Sequence, residues 1–138
     1  MAPGTVVWII EAEQWPRAYL IAELAERGLG AIGYPHLSEA MADLRSGLTP
    51  RPGVIILELR DQYVEPGLID ALVGSGVPVV LLTGAFERDE RTKESHGWAA
   101  VMKRPFTVGS VADKVQEIAG NRAPQYTQGL SDPPGDPR

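Results

Sequence analysis

Charged and hydroxyl side chains stand at the ends of the apolar runs, and that placement is where this sequence could do chemistry. Glu58 closes the run Val54-Ile55-Ile56-Leu57, and Glu11 and Glu13 follow Val6-Val7-Trp8-Ile9-Ile10. Thr83 follows Val79-Val80-Leu81-Leu82, and Lys103-Arg104 precede Pro105-Phe106 after Trp98-Ala99-Ala100-Val101-Met102. Carboxylates gathered with cations can pair permanently or share acid–base work. Burying an unpaired charge is expensive, so Glu58 is expected to emerge at its strand's end or to meet a cation there. Plainer readings compete: a solvent-facing Glu58, Glu11 and Glu13 as helix-entry charges, Thr83 as a turn residue, and Lys103 with Arg104 as a solvated pair.

The elements that must position these groups follow from the pattern. The apolar runs do not alternate with polar residues, which fits parallel strands covered on both faces. Ala31-Ile32-Gly33-Tyr34 is a shorter, weaker strand. Leu20, Ile21, Leu24 and Ala25 recur at helical spacing, with Pro16 in the first turn and Gly28 as a stop. Ser38 is expected to cap a helix over 39–45 that Gly47 closes. Pro66 opens a third helix carrying Leu68, Ile69, Leu72 and Val73. The charged stretch 85–96 has only Phe86 to bury and reads as the loosest helix. Thr107 caps a last helix with Val108, Val111, Val115 and Ile118 inward, which Gly120 is expected to stop. Strand and helix alternate five times, predicting a doubly wound, five-stranded parallel sheet with helices on both faces. The folded domain is expected over 1–120, followed by a disordered Pro/Gly-rich tail at 121–138.

Composition narrows the function. The 138 residues are 43% hydrophobic and 22% charged, which fits one ordinary globular domain. A net charge of -5 and the lack of a basic stripe argue against nucleic acid as a partner. No apolar run is long enough for a membrane span and no leader is recognisable, so a cytoplasmic protein of bacterial type is expected. There is no cysteine. His36 and His96 have no second histidine at ligand spacing. Trp8, Trp15 and Trp98 read as core or rim packing. There is no Gly-rich phosphate loop after the first strand, no Ser-His-Asp set and no nucleophile elbow.

These strand ends, in this order, resemble the receiver domain of bacterial response regulators from about residue 5 to residue 120. The resemblance rests on Glu11-Ala12-Glu13, on Ile55-Ile56-Leu57-Glu58, on Pro78 to Leu82 running into Thr83-Gly84, and on Lys103-Arg104-Pro105-Phe106. It implies a flavodoxin-like sheet of order 2-1-3-4-5 and two-component phosphorelay signalling. It also implies magnesium held by acidic residues, an aspartate phosphorylated by a histidine kinase, a Ser or Thr and a Lys on the phosphoryl oxygens, and an aromatic switch. Here Glu58 stands at the phosphoacceptor position, Glu11 at the first acidic position and Ala12 at the second, a metal-ligand place. Glu13 is a further acidic residue beside them. Thr83 fits, Arg104 fills the lysine position with Lys103 one place early, Val101 replaces the aromatic switch, and Pro105 is the candidate cis proline.

The expected consequence is a degenerate, pseudo-receiver protein with no metal, no cofactor and no enzymatic activity of its own. Glu58 carries its charge one methylene farther than aspartate, partly imitating the phosphorylated state, and Arg104 is expected to pair with it permanently. Such a stand-alone module would act by binding a protein partner: a kinase, another regulator, an output protein, or a second copy through the 85–119 face. Nucleic acid and membrane are not expected partners. Two alternatives remain open. One is an active receiver phosphorylated at a displaced acid such as Asp61. The other is a small flavodoxin-like enzyme using Glu11, Glu13 and Glu58.

Overall fold

The computed structural model describes residues 5–84 and 97–131. The expected charged helix over 85–96 lies outside the described residues. Strands β1 (Val6–Ile10), β2 (Gly30–Tyr34), β3 (Val54–Glu58), β4 (Val79–Thr83) and β5 (Ala100–Lys103) form one sheet of order β2-β1-β3-β4-β5. All four neighbouring pairs are parallel. β3 and β4 are buried along their whole length, as unbroken apolar runs require, whereas β2 at the edge alternates with exposure.

Helices α1 (Gln14–Glu26), α2 (Leu37–Ser46), α3 (Leu68–Gly74) and α4 (Val108–Ser131) cover the two faces. Strand periodicity divides the core accordingly. Val7, Ile9, Val54, Ile56, Val80 and Leu82 pack with Leu20 and Leu24 of α1 and Val111 and Val115 of α4. Trp8, Ile10, Ile55, Leu57, Val79 and Leu81 pack with Leu37 and Met41 of α2 and Leu68 and Leu72 of α3. Each fully buried side chain of this kind contributes roughly 1.5–3 kcal/mol.

The ends of the helices hold the departures from expectation. Ser38 does not cap α2: the helix begins two residues earlier than expected, at Leu37 behind His36, whose side chain makes no capping bond. The first free amide, that of Leu37, instead donates to Oε1 of Gln62 at 2.7 Å, while Nε2 of Gln62 donates to the Pro35 carbonyl at 2.8 Å. A buried side chain from the loop after β3 thus does what the local serine was expected to do. Gly47 does close α2, at φ 70°. α3 starts at Leu68 behind Gly67 rather than at Pro66. Thr107 caps α4: its Oγ1 accepts the Ser110 amide at 2.9 Å, and its own amide donates to Ser110 Oγ at 3.0 Å.

α4 does not stop at Gly120, as expected, but carries on to Ser131. A glycine ends a helix when it turns to positive φ. Gly28 and Gly47 do so; Gly120 does not. α1 and α4 are clasped by Arg27, which bonds Glu23 on its own helix and Asp113, Gln116 and the Gly109 carbonyl on the other.

Candidate functional site

Period-two geometry decides which strand-end side chains can meet. Glu11 continues the parity of Val7 and Ile9, Glu58 that of Ile56, and Arg104 that of Ala100 and Met102, all of which face α1 and α4. Because β1, β3, β4 and β5 are parallel neighbours, the three arrive together at the carboxyl edge. Glu58 is buried, with 2% of its side chain exposed, and its Oε1 is paired with Nη2 of Arg104. Its Oε2 accepts the Arg60 amide at 3.1 Å. The Arg104 guanidinium also lies over the Phe106 ring, 5.0 Å from its centroid, which holds the fork in place.

Arg60 is the residue sequence reasoning missed. Its Nη2 lies 2.8 Å from Glu13 Oε1 and 3.9 Å from Glu11 Oε1. Glu11, itself buried, accepts the Glu13 amide on Oε2 at 2.9 Å. Arg17 fastens the same loop from α1, donating to the Glu11 carbonyl at 2.7 Å. Gly33 makes room for it: a Cβ there would lie 2.9 Å from Arg17 Cδ.

The other expected site residues are placed as follows. Thr83 is buried at the end of β4, opposite Lys103 in register, and its carbonyl accepts the Arg104 amide at 2.9 Å. It follows the parity of Val79 and Leu81, so it belongs to the other face of the sheet from Glu58. Lys103 is exposed. The Arg104–Pro105 bond is cis. Val101 is half-buried against the α2–α3 layer and stands apart from the carboxylates. Asp61 is exposed in a turn at φ 63°, and the pocket's ion pairs run to Glu11, Glu13 and Glu58 instead. Trp8 is core and Trp98 packs against the core, whereas Trp15 is 65% exposed beside a likewise exposed Tyr19 and does not pack into the core as expected. His36 precedes α2, while His96 falls outside the described residues.

Burial pushes the Glu11 carboxyl above the ordinary glutamate range, the Glu58 and Glu13 charges push the same way, and the Glu13 amide and Arg60 only partly offset them. The folded protein therefore holds this proton to higher pH than the unfolded chain does. The associated stability is complete below the unfolded value of about 4.3 and is lost as pH rises through the folded one. Glu11→Gln keeps an acceptor for the Glu13 amide and removes the penalty. It is expected to raise the urea midpoint at neutral pH, with the gain vanishing near pH 4, as read from melts across that range.

The donor set does not fit magnesium. Ala12 offers no side-chain oxygen, both Glu58 oxygens already have donors, and guanidiniums stand against the carboxylates. Among the described residues no group of three His, Asp or Glu side chains is arranged to hold a metal ion. Beside the pair runs a groove of about 160 Å3 lined by Glu11, Tyr19, Leu20, Arg104, Phe106 and Val111 among others. Small-molecule sites usually enclose about 300–1,000 Å3. No described helix is long and apolar enough to cross a membrane.

No family model and no curated protein matches the chain by sequence. Solved structures match it by shape. A response regulator receiver protein from Burkholderia phymatum is similar at 20% identity and TM-score 0.68, over 84% of this chain and 95% of that one. A response regulator receiver protein from Pseudomonas putida is similar at 21% identity and TM-score 0.69, over 85% and 99%. The receiver domain of a Francisella response regulator, at 17% identity, reaches TM-score 0.71 over 86% and 99%. The chain therefore has the fold of a response-regulator receiver domain, in the flavodoxin-like strand order.

Proposed function

We propose that this chain is a receiver-like signalling module of the two-component type that acts by binding other proteins, with no phosphoryl transfer at Glu58 and no catalytic activity of its own. The observation that carries the reading is the buried Glu58–Arg104 ion pair. In-line transfer to a carboxylate requires a free oxygen to attack phosphorus and a cation to neutralise the charge gathering on the phosphoryl group. Glu58 has both oxygens engaged, one by a guanidinium that does not deprotonate. The charge arrangement that a phosphoryl group would create is thereby built in, which favours one constant binding face. Val101 supports this, since a valine has no long side chain to swing between two packings. Among the described residues the groove beside the ion pair is small, which supports the binding reading over an enzyme built on Glu11, Glu13 and Glu58, and the exposed turn position of Asp61 stands against the displaced acceptor.

The test is incubation with acetyl phosphate and magnesium, read by intact mass. No gain is expected for the natural sequence. A gain of one phosphoryl group that Asp61→Asn abolishes would establish the displaced-acceptor reading, and one that Glu58→Gln abolishes would overturn the role given to the ion pair.

A further inference from the structure

Arg60 belongs to no helix or strand, yet it is the residue that touches every carboxylate of the site. Its guanidinium meets Glu13 at 2.8 Å and faces Glu11 at 3.9 Å, and its backbone amide holds Glu58 Oε2 at 3.1 Å. We infer that the Arg60 guanidinium is the resident counter-cation of the Glu11–Glu13–Glu58 pocket, and that the folded protein takes up no divalent cation there while it is in place. The inference goes beyond the signalling reading and stands without it, because it concerns what neutralises the pocket and not what the protein binds.

The oxygens are already assigned. Glu11 Oε2 accepts the Glu13 amide, Glu58 Oε1 is held by Arg104, and Glu58 Oε2 is held by the Arg60 amide. That leaves Glu11 Oε1 and the Glu13 carboxylate, and those are the two Arg60 faces. A divalent cation would need several of these oxygens at once, at about 2.0–2.1 Å for magnesium or about 2.3–2.6 Å for calcium. It would have to displace a tethered cation and sit close to a second one. Among the described residues, three carboxylates here stand against two guanidiniums; without Arg60, three would stand against one. A guanidinium keeps its charge at any working pH and cannot be drawn off by a chelator. Most of the pocket's negative charge is thus offset by the chain's own covalent structure, independently of the ion content around it.

The experiment compares the natural chain with Arg60→Gln and Arg60→Lys. Thermal melts are recorded with and without magnesium or calcium chloride, with ionic strength held constant by sodium chloride. Amide spectra are followed with manganese(II) as a paramagnetic probe. The natural protein and Arg60→Lys are expected to melt at the same temperature with and without divalent ion, with no line broadening confined to residues 11–13 and 58–60. Arg60→Gln is expected to gain a dose-dependent rise in Tm and broadening at those residues. A divalent-dependent rise in the natural protein overturns the inference, as does an Arg60→Gln protein that ignores the ion. Should Arg60→Gln need help to fold, refolding on addition of divalent ion supports the inference and failure to respond overturns it. Cation uptake is read here by melting and broadening, and phosphoryl uptake by mass, so either reading can fail alone.

Discussion

Arg104→Ala is expected to destabilise the fold by about 2–3 kcal/mol, measured as a lower urea midpoint with an unchanged m-value. The loss is not the worth of a surface contact. Glu58 stays behind with 2% of its side chain exposed and no guanidinium, and removing one member of a fully buried pair typically costs about 3–5 kcal/mol. The lower figure follows because Arg104 keeps 32% of its side chain exposed, so water can reach the gap it leaves. Replacing both partners tests the explanation. Glu58→Leu with Arg104→Ala leaves no buried charge to strand, and the double variant is expected to regain most of the loss. A double variant as unstable as the single would mean that Arg104 acts through its packing on Phe106 instead. Recovery in the double variant would mean that the pair fixes an arrangement of charge more than it adds stability, as the proposed function requires.

The sheet was legible because β1, β3 and β4 are continuous apolar runs that no half-exposed strand would use. The meeting of Glu58 with Arg104 was legible too, by way of the resemblance. Strand parity leads there independently, since Ile9 and Glu11, Ile56 and Glu58, and Met102 and Arg104 each differ by one period. Parity also explains why Thr83 falls on the other face from Glu58 despite sitting at the expected position. Arg60 was not legible, because a loop residue has no period and its reach depends on how the turn after β3 folds back. Ser38 misled for a related reason: a local capping signal competes with any buried side chain that tertiary structure can deliver. Gly120 misled because glycine permits a positive φ without requiring one, and within a helix it costs only about 1 kcal/mol.

Gln62→Leu is the second large expected effect, again a loss of about 2–3 kcal/mol. Leucine fills the same space but leaves the Leu37 amide and the Pro35 carbonyl without partners, and a buried polar group left unmade costs about 1–3 kcal/mol. Hydrogen exchange would locate the damage: the first amides of α2 should exchange faster than the central amides of β1 and β3. Uniform acceleration would mean that Gln62 supports the whole fold and not that helix end. The consequence reaches the acidic pocket, because Gln62 also closes the turn that carries Arg60. Its amide donates to the Leu59 carbonyl at 3.0 Å, and Asp61 between them takes a positive φ. Glu58 anchors one end of that turn through Arg104, and Gln62 anchors the other through α2. On this account, the position of Arg60 over Glu11 and Glu13 depends on both anchors. Gln62→Leu and Arg60→Gln should therefore combine to less than the sum of their separate effects, since a freed turn has already let the guanidinium go. Strict additivity would separate the two and leave the position of Arg60 to its own ion pairs.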